Sequence, residues 1–121
     1  IPSITFTPNS PELVLDPEDP RGAQNLSVLQ RLVEVFDRYP SYRIEIEGHA
    51  VNLTGTREEE EEILLPLSLA RAQRVADALV DRGMAERRVS ASGRGGQDPV
   101  VPHSDVEQRW KNRRVEFILI R

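Results

Sequence analysis

The sequence predicts an α/β fold, a two-layer α+β sandwich in which helices back a mixed sheet in the order β-α-β-α-β-(α)-β. Two kinds of apolar spacing, and their interleaving, carry the prediction. Tyr42, Ile44 and Ile46 alternate with Arg43, Glu45 and Glu47, the period of a strand buried on one face. Leu26, Leu29, Leu32, Val33 and Phe36 recur at helical spacing, as do Ala72, Val75, Ala76, Leu79 and Val80 further on. The 121 residues, 38% apolar and 30% charged, are enough for one core, so a single domain is expected over residues 1–121.

The elements follow in order. Ile4 to Thr7 reads as a short strand, and the prolines at 8, 11, 17 and 20 make the chain from Pro8 to Gly22 a long loop. The first helix ends at Pro40, and the strand after it closes at Gly48. Ala50 to Pro66 is expected to be a second long connection, holding the run Glu58 to Glu62. A second helix covers roughly Leu67 to Arg82, with Gly83 placed for a left-handed cap. Val89, Ala91 and Gly93 indicate a third strand, leading into the turn Gly93-Arg94-Gly95-Gly96. Ser104-Asp105-Val106-Glu107 has capping-box form and predicts a short helix, and Arg114 to Ile120 is the last strand.

Composition excludes several classes. The absence of Cys removes disulfides, thiolate metal sites and Cys nucleophiles. No apolar stretch approaches the roughly 20 residues of a membrane-spanning helix. A net charge of −4 and a pI near 5.2 argue against nucleic acid as a partner. Arg57 to Glu62 alone carries that −4, whereas Arg109 to Arg121 carries +4. The first residue is Ile rather than Met, and the chain is expected to be part of a longer protein.

Candidate chemistry is sparse. Glu45, Glu47 and His49 share a strand side, but read as a solvated face; no metal site and no cofactor are expected. No nucleophile elbow or dinucleotide fingerprint is present, and no catalytic residues are assigned. Arg71 sits near the start of the second helix, where the dipole disfavours a cation; either the nearby glutamates pair with it or it faces an anion.

These segments together resemble the OmpA-like domain of envelope proteins, the module of outer membrane protein A, peptidoglycan-associated lipoprotein and flagellar stator subunits. The resemblance rests on Ile44-Glu45-Ile46-Glu47-Gly48-His49, on Leu67-Ser68-Leu69-Ala70-Arg71-Ala72-Gln73-Arg74-Val75, on Gly93-Arg94-Gly95 and on Asn112-Arg113-Arg114-Val115-Glu116-Phe117. The family's patterns are a strand ending G-H-T-D, a helix opening L-S-x-x-R-A-x-x-V and a closing N-R-R-V-E. It implies a non-catalytic module that holds the stem peptide of peptidoglycan non-covalently, an acid pairing with the ammonium of diaminopimelate and the helix arginine with its carboxylate.

Arg71 matches that arginine. Val51 stands where the family places its aspartate, and Leu64 where it commonly places an asparagine. Either Asn52 or one of Glu58 to Glu62 folds back as the replacement acceptor, with Asn9 on the opposite wall, or the wall peptide carries another diamino acid and the site has changed with it. His49, Asn112, Arg113 and Arg114 are expected as structural support. Arg71 is expected to be exposed, tolerating alanine without loss of fold. The expected setting is the periplasm, attached to the outer membrane through the rest of the parent protein. The alternative is a scaffold for protein partners in the envelope that has lost diaminopimelate binding, with an apolar patch at Val51 and Leu64.

Overall fold

A computed structural model of the chain describes residues 4–121. Strand β1 (Ile4–Thr5) is followed by helix α1 (Pro20–Arg38) and strand β2 (Arg43–Gly48). Helix α2 (Arg57–Glu59) runs through a π-helical turn (Glu60–Leu64) into helix α3 (Leu65–Asp81). Strands β3 (Val89–Gly93) and β4 (Arg114–Ile120) complete the sheet, each entered from a 3-10 turn, Glu86–Arg88 and Arg109–Asn112.

The sheet order is β1-β4-β2-β3. β4 pairs antiparallel with both β1 and β2, while β2 and β3 are parallel, joined across one face by α3. Ile44 and Ile46 of β2 lie opposite Leu119 and Phe117 of β4, and opposite Val89 and Ala91 of β3. That face meets Val28, Leu29, Leu32 and Phe36 of α1 and Ala72, Val75, Ala76 and Leu79 of α3, forming the core. This is the expected mixed sheet backed by helices. Leu119 departs from the expected buried row of β4, standing 43% exposed at the strand's end.

Three elements differ from the sequence expectation. The first helix begins at Pro20, inside the expected loop: Asp19 accepts from Arg21 N–H at 2.9 Å, and Pro20 sits at the first turn, where its missing N–H is no loss. The acidic run is helical. Thr56 caps it by accepting from Glu59 N–H, and the glutamates of the first turn favour the positive end of the dipole. Pro66 does not break it, because the preceding π turn, in which Leu65 N–H reaches back to Glu60 O, shifts the hydrogen-bond ladder by one residue ahead of the proline. Finally, Ser104 to Glu107 forms turns: Asp105 accepts from Gln108 N–H, and the helical turn starts only at Arg109.

Helix α3 and the sheet approach so closely that only glycine fits between them. A Cβ on Gly48 would lie 1.8 Å from Ser68 O, and one on Gly93 2.7 Å from Leu69 N. Ser68, fully buried, donates to Leu65 O (3.0 Å) and accepts from Gly95 N–H (2.8 Å). The serine of the helix motif is thus the latch onto the glycine turn.

Candidate functional site

The ends of β1, β2 and α3 and the start of β4 converge on a small cleft. Arg71, Arg113, Val51, Leu64 and Asn9 all line it, together with Pro8, Ala50, Leu53 and Leu67. Its volume is about 30 Å³, the share of a single water molecule. Larger surface depressions lie elsewhere; that of about 510 Å³ between α3 and β3 is lined by Asp77, Asp81 and Glu86 and holds no arginine.

Arg71 is 1% exposed, which corrects the expectation of an exposed helix position. It is also well inside the helical run begun at Arg57, so no free helix N-terminal amides surround it. Its Nε donates to Ser10 O at 3.0 Å, Nη1 to His49 O at 3.1 Å and Nη2 to Thr7 O at 2.9 Å. The guanidinium also lies over the Phe6 ring, 5.3 Å from its centre. One side chain therefore ties the proline-rich loop, the end of β2 and α3 together. Each terminal nitrogen keeps one further N–H, since a guanidinium offers five donors.

Burial, and then Arg113, push the Arg71 pKa down to about 10, so it remains a cation at neutral pH. The Arg113 pKa is lowered as well, by burial and by Arg109. Among the described residues, neither guanidinium lies within ion-pair distance of a carboxylate. The cleft joins two uncompensated cations to an apolar wall in which Val51 and Leu64 are 6% and 4% exposed. The apolar patch expected of those two residues is consequently inside the protein, and Leu53, 56% exposed, is the apolar residue at the mouth.

The candidate replacement acceptors do not enter the cleft. Asn52 organises its own loop, accepting from Gly55 N–H at 2.7 Å and donating to Thr56 O and Glu60. The Glu60 carboxylate accepts from Gly96 N–H (3.0 Å), and Glu59 from Thr54. Glu61 pairs with Arg57, and none of the five glutamates lines the cleft.

The support residues divide. Asn112 is fully buried and saturated: Oδ1 accepts from Val100 and Val101 N–H, and Nδ2 donates to Val101 O and faces His103 Nδ1. Arg114 donates to Glu116 and Asp98 O. Arg113 points the other way, into the cleft. No strand periodicity separates the two arginines, because only Arg114 lies in β4 and Arg113 is the bend between the 3-10 turn and the strand. His49 is 1% exposed, so the expected solvated face of Glu45, Glu47 and His49 does not extend to the histidine.

The sequence profile of the OmpA family matches residues 5–113. The chain belongs to the OmpA family. This OmpA-family chain is 38% identical over 92 residues to the peptidoglycan-binding protein ArfA of Mycobacterium tuberculosis, covering 76% of the chain and 27% of ArfA. It is 35% identical over 91 residues to the peptidoglycan-associated lipoprotein of Agrobacterium fabrum, covering 75% of the chain and 49% of the lipoprotein. It thus spans about a quarter to a half of the curated relatives it matches. Among solved structures, the C-terminal domain of Helicobacter pylori MotB superposes with a TM-score of 0.77 at 26% identity, over 100% of this chain and 86% of that one. The Burkholderia pseudomallei peptidoglycan-associated lipoprotein gives 0.77 at 24% identity, over 98% and 89%, and shows the shared fold.

Proposed function

We propose that the chain is a non-catalytic peptidoglycan-associating domain that links an envelope protein to the cell wall by holding the stem peptide. The observation that carries this reading is the pair of cations, Arg71 and Arg113, facing one cleft with no carboxylate to neutralise them. A stem-peptide carboxylate at the mouth would accept charge-assisted hydrogen bonds from both and relieve their mutual repulsion. The names of the relatives, a peptidoglycan-binding protein and a peptidoglycan-associated lipoprotein, support the same partner. The parent protein is proposed to work in the periplasm, attached to the outer membrane outside this segment. Among the described residues, no helix is long and apolar enough to cross a membrane.

One observation favours the second reading, a scaffold for protein partners. Val51 and Leu64 close the wall where an ammonium would need an acceptor, and the cleft has room for about one water. Co-sedimentation with purified sacculi decides between them, run on diaminopimelate-containing wall and on wall with another diamino acid. Arg113→Ala is the diagnostic variant, because the Arg113 side chain makes no hydrogen bond within the fold among the described residues. The wall-binding reading expects wild type to sediment and Arg113→Ala to stay in solution with no fall in its thermal midpoint, since the variant loses no hydrogen bond and relieves the repulsion on Arg71. Wild type that sediments with neither wall supports the scaffold.

A further inference from the structure

The end of the sheet opposite the helices carries a second cluster, under the turn that follows β3. Glu47 and His49 come from β2 and the residue after it, and Asp98 comes from the turn. Each offers one ligand atom, and the three atoms lie within 4.8 Å of one another. Glu116 faces Glu47 across the β2–β4 register, its Oε2 3.8 Å from His49 Nε2.

His49 gives the cluster its meaning. It is 99% buried, yet neither ring nitrogen makes a well-directed hydrogen bond; Nε2 lies 3.0 Å from Glu47 Oε1 but off the line its N–H would take. Ser92 Oγ, on the strand position paired with Glu47, is likewise buried without a partner, as is Arg114 Nη1 beside Glu116. Among the described residues, every buried side-chain atom without a partner belongs to one of these three residues. Such groups are rare in folded proteins, and an unpartnered buried imidazole points to an ion or water that satisfies it; Arg114 Nη1, a cationic N–H donor, calls for an acceptor and not for a metal. His103 makes the contrast. Its Nε2 meets Gly96 O at 2.8 Å and its Nδ1 meets Asn112 at 3.1 Å, so it has no nitrogen to give.

We propose that Glu47, His49 and Asp98 form a binding site for a first-row divalent transition ion of the zinc or manganese type. The imidazole selects such ions over hard cations, which require an all-oxygen shell. Coordination at roughly 2.0–2.2 Å needs ligand atoms about 3–3.5 Å apart; Glu47 Oε1 and His49 Nε2, at 3.0 Å, already stand that close, and Asp98 is the ligand that must approach. Asp98 can make that movement because its side chain is exposed on the turn and is engaged by the surface ion pair with Arg94 (2.9 Å), which uses Oδ2 and leaves Oδ1 to turn inward. Arg114, bonded to Glu116 and to Asp98 O, braces the opposite side. The bound ion would pin the turn after β3 to the end of β2, independently of any wall ligand.

The test titrates the chelator-treated 121-residue chain with ZnCl₂ by calorimetry, following the His49 ring nitrogens by long-range ¹H–¹⁵N NMR. The expected result is one saturable Zn²⁺ per chain, a shift of the His49 nitrogens on binding, a raised thermal midpoint and no competition from Mg²⁺ or Ca²⁺. Asp98→Asn, at an exposed position that leaves the fold intact, is expected to abolish saturable binding; His103→Gln is expected to leave it unchanged. Absence of saturable uptake by wild type overturns the proposal. So does Zn²⁺ binding that leaves the His49 nitrogens unshifted, or that survives unchanged in Asp98→Asn.

Discussion

Arg71→Ala provides the sharpest test of how the cleft is built. Truncation removes three hydrogen bonds from a cation to the carbonyls of Ser10, His49 and Thr7, which lie 22 to 64 residues away in sequence. Bonds of this kind contribute about 1.5–3 kcal/mol each, so about 5–9 kcal/mol is at stake if the carbonyls are left dry. Against this, the variant no longer buries a cation. The pKa displacement from 12.5 to about 10 corresponds to about 3 kcal/mol of folded-state penalty. The sign is that of a base whose folded pKa is depressed. The penalty is fully present at neutral pH and fades only as pH rises through about 10, where the folded form releases its proton first. The net expectation is a loss of about 2–6 kcal/mol, or a fall in Tm of about 8–24 °C at about 4 °C per kcal/mol. Urea unfolding followed by circular dichroism measures it. A midpoint corresponding to less than the loss of one ordinary hydrogen bond, about 1 kcal/mol, would refute the claim that Arg71 ties the loop to the sheet.

Three further outcomes are expected. Gly48→Ala forces a Cβ to within 1.8 Å of Ser68 O, a backbone atom that can retreat only if α3 lifts from the sheet; a loss of about 3 kcal/mol is expected in the same urea assay. Thr56→Ala removes the cap of α2 and is expected to cost about 1 kcal/mol, with faster amide exchange confined to the acidic turn. Asp19 is held below the usual 3.8 chiefly by the Arg21 backbone N–H, so its stabilisation is complete above that value and lost as pH falls through the folded pKa. Asp19→Ala is therefore expected to unfold at lower temperature than wild type at neutral pH, with the gap closing in acid; a gap that widens in acid contradicts the capping role.

What could be read from the sequence follows from what periodicity carries. Ile44 and Ile46 betray β2, and Ala72, Val75 and Leu79 betray α3, because burial on one face imposes a repeat of two or of about 3.6. Boundaries were lost where proline had two meanings. Pro20 opens α1 rather than belonging to the loop, a reading available only by noticing Asp19 before it as a cap. Pro66 looked like a helix breaker, since no local pattern announces the π turn that accommodates it. The site was less legible still. Arg71, Val51, Leu64 and Asn9 do converge, as motif position implied, but the burial of Arg71 depends on carbonyls distant in the chain. Asn52 and Glu60 have the right chemistry and the wrong direction, each committed to its own loop or to the Gly96 N–H.

On the proposed reading, the composition of the cleft also sets what it rejects. Specificity is a difference of affinities, and an unneutralised cation pair acts on both sides of that difference. A ligand amine brought to Val51 and Leu64 would lose water without gaining an acceptor, and would meet two guanidinium groups of its own sign. A ligand carboxylate meets the spare N–H groups of Arg71 and the half-buried Arg113 with no competing acid in the lining. The cleft therefore favours a stem peptide that presents a carboxylate beside an apolar or blocked group over one that presents a free zwitterion. Restoring an acid at position 51 would not simply recreate an ammonium site. A carboxylate there would lie among the two cations and be drawn to them, occupying the charge that the ligand carboxylate needs. Val51→Asp should accordingly weaken, rather than strengthen, sedimentation with whichever wall the wild type prefers, and stronger binding by that variant would show that the apolar wall, not the cation pair, limits recognition.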